Sequence, residues 1–85
     1  MEFELKDKIL ELKKNEYVRS INEIATQDYG PIPVNSLLQI NIVNKSYIEV
    51  TMLEPKTMVI SYSNLRDDDS PFFWNFLENI KKIKR

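Results

Sequence analysis

The chain has no cysteine, no histidine and a single glycine. Without cysteine there are no disulfides and no thiolate chemistry, so the fold rests on packing alone and the redox compartment stays open. Without histidine as well, the common nucleophile–base pairs and the usual zinc sites are excluded, leaving carboxylates, hydroxyls, tyrosine and lysine. One glycine cannot build the phosphate-cradling loops of the P-loop or dinucleotide kind. These absences argue against an enzyme, and no cofactor is expected. Nor is a metal, because the run Asp67-Asp68-Asp69 has neither the ligand spacing nor the internal glycine of a calcium loop.

Long apolar runs are missing too. None approaches the roughly 20 residues needed to span a bilayer. The first ten residues, MEFELKDKIL, mix charge with apolar side chains where a signal peptide has a continuous apolar stretch. The expectation is a cytoplasmic protein with no membrane association. With 12 Lys and Arg against 13 Asp and Glu, the net charge of −1 supplies no global pull toward nucleic acid or anionic lipid. Nucleic acid is therefore not an expected partner. The local exceptions are Lys81, Lys82, Lys84 and Arg85, and the acidic run at 67–69. Placed at the two ends of a last helix, both complement its macrodipole.

What remains is a folded composition, 42% hydrophobic and 29% charged over 85 residues, which supports one domain spanning 1–85 with one modest core. Leu5, Ile9 and Leu12 recur at helical spacing and predict a first helix over about 4–14. Phe3, Leu10 and Tyr17 form a second apolar stripe on it, available to another chain; the alternative is a short strand in which Met1, Phe3 and Leu5 alternate. Ser20-Ile-Asn-Glu23 matches a capping box and predicts a second helix over about 21–28, ended by Gly30 and by Pro31 and Pro33.

From about Leu37 the period changes to two. Leu38, Ile40 and Ile42, then Ile48, Val50 and Met52, then Met58, Ile60 and Tyr62 predict three strands of an antiparallel meander. Pairing Ile42 with Ile48 and Met52 with Ile60 puts all of these on one face, and leaves Asn41 and Ser61 on a wet one. Ser70 as cap and Pro71 at the first helical position then open a last helix. On its wheel Phe72, Phe73, Phe76, Leu77, Ile80 and Ile83 share one broad core-facing stripe. Trp74 falls outside it, beside Glu78, Lys81 and Arg85.

The segment Ser20-Ile-Asn-Glu-Ile-Ala25, after one helix and before a hairpin, resembles the second helix of a winged helix-turn-helix DNA-binding domain. That resemblance implies a DNA-binding regulator whose third helix enters the major groove. The sequence departs from the pattern at Pro31-Ile-Pro33 and at the alternating Leu38–Ile42, and no Arg or Lys lies between Gly30 and Asn44.

The expected fold is α+β: two N-terminal helices, a three-stranded antiparallel meander and a C-terminal helix packed on one sheet face. Three strands make a face roughly 14 Å wide, too narrow for three helices of about 10 Å each. Apolar surface is then left for a partner. The expected function is a small non-catalytic protein–protein interaction module, an adaptor, inhibitor or immunity-type protein acting by surface occupation, with a second copy of itself among the possible partners. The candidate contact residues are Trp74, Phe3, Leu10, Tyr17, Lys81 and Arg85.

Overall fold

Period-two alternation places one set of side chains on each face of a strand, and it governs more of this chain than its helical patterns do. The structure is a computed structural model that describes residues 12–83. Its elements are β1 (Tyr17–Ser20), β2 (Leu37–Val43), β3 (Tyr47–Glu54), β4 (Met58–Ser63), helix α1 (Ser70–Glu78) and β5 (Ile80–Ile83). The five strands form one sheet in the order β4-β3-β2-β1-β5, every neighbouring pair antiparallel. After β4 the chain passes beneath the sheet as α1 and emerges at the far edge as β5.

This corrects the expected fold. The three predicted strands are present, but as the β2–β4 part of a five-stranded sheet, and α1 is the one helix among the described residues. Most of the expected first helix lies outside residues 12–83. Its last turn and Tyr17 do not continue it: Asn15 sits at φ 72 and Tyr17 opens β1. Residues 21–28 form no helix. Ser20 is drawn away from capping, its Oγ donating to the Pro33 carbonyl at 2.8 Å and accepting from the Ser36 amide at 2.8 Å. Ile24 pairs instead with Ile32, each amide donating to the other's carbonyl. Asn22, Thr26 and Asp28 are weak helix formers, and this long-range pairing overrides what Glu23, Ala25 and Gln27 would favour. With no helix over 21–28, the winged-helix resemblance fails as well, because Leu37–Val43 is strand where a reading helix would follow.

Register differs in detail. Ile40 faces Val50, but one extra residue on β2 shifts the pairing so that Ile42 faces Glu49 and Val43 faces Ile48. This β-bulge turns Ile42 outward to 42% exposure and brings Val43 against the core. On the other side Met52 pairs with Met58 and Val50 with Ile60.

The core lies on one face. Val18, Leu38, Ile40, Ile48, Val50, Met52, Ile60 and Tyr62 point into it from the sheet, closed by Phe73, Phe76 and Leu77 of α1, by Ile24 and Ile32 of the irregular segment, and by Leu12. Phe76 stacks on Tyr62, ring centroids 4.8 Å apart. The Tyr62 hydroxyl donates to the Ala25 carbonyl at 3.1 Å, and burial raises its pKa above the ordinary tyrosine value. The helix begins one residue earlier than expected, with Asp69 as N-cap and Pro71 in its first turn, and ends at Asn79. Asn79 Nδ2 donates to the Asn75 carbonyl at 2.7 Å, satisfying an end carbonyl, and Ile80 then enters the core from β5. Lys81 and Lys82 are consequently strand residues, and no basic residue occupies the last turn of α1.

Candidate functional site

The two edges of the sheet are built differently. β5 is four residues long, and its two central positions are Lys81 and Lys82. A short, charged edge strand resists pairing with another chain. Lys82 is further engaged by Glu16, with Nζ 3.1 Å from Oε2. That hydrogen bond, helped by one from the Lys13 amide to Oε1, holds the Glu16 carboxyl below its ordinary range against the opposing effect of partial burial. A lowered pKa in the folded state means that this contribution is present above the unfolded value and is lost as pH falls through the folded one. Lys82→Met should therefore move the Glu16 titration upward toward the ordinary glutamate value, read by carboxyl NMR shifts. An unmoved titration would remove Lys82 as the cause.

At the opposite edge β4 reads MVISYS, six residues with no charge and no proline. It keeps regular register with β3 over its whole length, from Met52↔Met58 to Tyr47↔Ser63. Which of its backbone groups point outward follows from one bond just past the strand. The Asn64 amide donates to the Ser46 carbonyl at 2.8 Å, so the 46/64 pair is of the hydrogen-bonded kind. In an antiparallel ladder such pairs alternate, which makes 48/62, 50/60 and 52/58 hydrogen-bonded as well. The N–H and C=O groups of Val59, Ser61 and Ser63 thus face away from β3. Among the described residues no other strand pairs with β4. Their side chains lie on the sheet face away from the core, with Val59 51% exposed. Helix α1 underlies β4 through the Phe76–Tyr62 stack, holding the strand in place from the core side.

The sequence-predicted contact residues are dispersed. Trp74 lies on α1, half-buried and packed against the core, its ring edge-to-face with Phe73 at 5.2 Å. Tyr17 is on the opposite face of the sheet, half-buried, where its hydroxyl accepts from Gln39 Nε2 at 3.5 Å. Lys81 is exposed on that same face and pairs in register with Arg19. Phe3, Leu10 and Arg85 lie outside the described residues. The structure therefore brings Tyr17 and Lys81 to one face and leaves Trp74 on the other. Unprotected sheet edges are expected from the meander, but not which strand forms them; the signal for β4 is an uncharged alternating stretch between Lys56 and Arg66.

Chemistry is sparse elsewhere. Among the described residues no group of acidic side chains is gathered closely enough to hold a metal ion. No helix there is long and apolar enough to cross a membrane. Asp69 of the acidic run accepts from Gln27 Nε2 at 2.9 Å, which ties the irregular segment to the start of α1. No protein-family model, curated protein or solved structure matches this chain.

Proposed function

We propose that this chain is a small non-catalytic protein-binding module that acts by occupying the surface of another protein, and that β4 is the contact. The observation that supports this is the open edge itself, a regular, uncharged strand with the amides and carbonyls of Val59, Ser61 and Ser63 directed outward. An extended segment added there gains main-chain hydrogen bonds, with specificity from the alternate side chains beside it.

Proline at position 61 separates binding from folding. Ser61→Pro removes an N–H that the β3–β4 ladder does not use, a substitution that edge strands tolerate. The expected result is that immobilised wild-type chain retains identified protein partners from its source cells while folded Ser61→Pro does not. Equal recovery of the same partners by both would overturn the assignment of β4.

A further inference from the structure

Resting on that reading, the geometry points to a second copy of this chain as the occupant of β4: we propose a two-fold dimer in which the two β4 strands pair antiparallel and the two five-stranded sheets become one. In a two-fold contact each residue meets residues of the same strand, so any charge in the middle of the contact is set against its like. That condition separates the two edges. Self-pairing of β5 would put Lys81 and Lys82 beside their own copies, whereas β4 places only Val59, Ser61 and Ser63 in the new ladder and has no charge to oppose.

The outward groups also define the register. Centred on Ser61, its N–H and C=O exchange bonds with those of Ser61 of the partner subunit, and Val59 and Ser63 each pair with the other type across the axis. All outward groups of β4 are then used, and the apolar side chain of Val59, 51% exposed in the single chain, is covered by a neighbouring strand.

The charges that flank β4 lie beyond the new ladder. Lys56 precedes the strand and Arg66 follows it, both exposed and both outside the pairs formed by Val59, Ser61 and Ser63. A foreign strand is under no requirement to be uncharged along the paired segment, whereas a second copy is so by symmetry.

Sedimentation equilibrium of the purified full chain, from micromolar to millimolar, tests the proposal. The expected species at the upper end has twice the 10.1 kDa chain mass. Ser61→Lys, which sets a lysine against itself across the axis, should weaken dimerisation by about tenfold or more, and Ser61→Pro should weaken it comparably. Amide exchange needs no substitution: the N–H groups of Val59, Ser61 and Ser63 should exchange quickly at low concentration and slowly at high, while those of Ile60 and Tyr62 stay protected throughout. A 10.1 kDa species at millimolar protein overturns the dimer. So does a dimer whose Ser61 amide exchanges freely, or one that folded Ser61→Lys leaves intact. If the purified chain is monomeric while wild type but not Ser61→Pro still captures an identified protein, self-pairing fails and the binding-module reading stands. If edge-dependent capture is absent too, both fail.

Discussion

Phe76→Ala is expected to lower the free energy of unfolding by about 3–5 kcal/mol, the range for truncating a large aromatic at a fully buried site. Phe76 has no solvent exposure and its ring stacks on Tyr62. The loss extends beyond the ring's own contacts. Tyr62 holds the Ala25 carbonyl through its hydroxyl, so loosening its ring also loosens the tie between β4 and the irregular segment. A domain of this size has only about 4–13 kcal/mol of stability, and the variant should lose a large part of it. Urea unfolding followed by far-UV dichroism checks this. A midpoint close to that of wild type would mean that α1 is not the element closing the core.

The second large effect is expected in a segment without regular structure. Ile32 is fully buried, and with Ile24 it forms an isolated pair of backbone hydrogen bonds, 2.9 and 2.8 Å, beneath the sheet. Ile32→Ala should cost about 2–5 kcal/mol, as at any well-packed core position. Val34→Ala, two residues away but 60% exposed, should change stability by less than about 0.5 kcal/mol. The contrast is informative because loops usually tolerate substitution. Comparable, small effects at both positions would show that the segment is not part of the core.

Ile32 also shows where sequence reading reached its limit. Between Pro31 and Pro33 it has no periodic neighbours, and only its long-range pairing with Ile24 reveals that it is inside. The alternating stretches from Leu38 to Tyr62 were legible because each strand repeats its pattern three times, enough to assign a face. The bulge beside Asn41 was not. Asn41 Nδ2 donates to Thr51 Oγ1 at 2.8 Å and to Glu49 Oε2 at 3.3 Å, contacts across strands that carry no local signature and that accompany the outward turn of Ile42.

Short strands defeated the pattern for a different reason. Tyr17–Ser20 and Ile80–Ile83 are four residues each, long enough for one alternation and equally consistent with a turn of helix. Ile80 and Ile83 fit the wheel of α1 as well as they fit β5. What decides between them is Val18 and its neighbours, which offer a partner strand at a distance no local window includes. Of the candidate contact residues, Trp74 is half-buried and packed against the core, as Phe72 of the predicted stripe also is, while Phe73 and Phe76 are fully buried. Edge exposure of β4 depends on strand order, which alternation alone does not encode.

Strand order also governs when the molecule can be finished. β5 is synthesised after every other described element, yet it pairs with β1, the first of them, across roughly 60 intervening residues, a separation whose closure entropy must be met before any of its contacts is gained. While β1 to β4 are emerging from a ribosome, β1 has β2 on one side and nothing on the other, and the stripe of α1 has not yet met the core. The second side of β1 therefore stays unpaired until β5 has emerged. Folding of this kind is slow for the chain's length, because distant pairing limits its rate more than helix formation does.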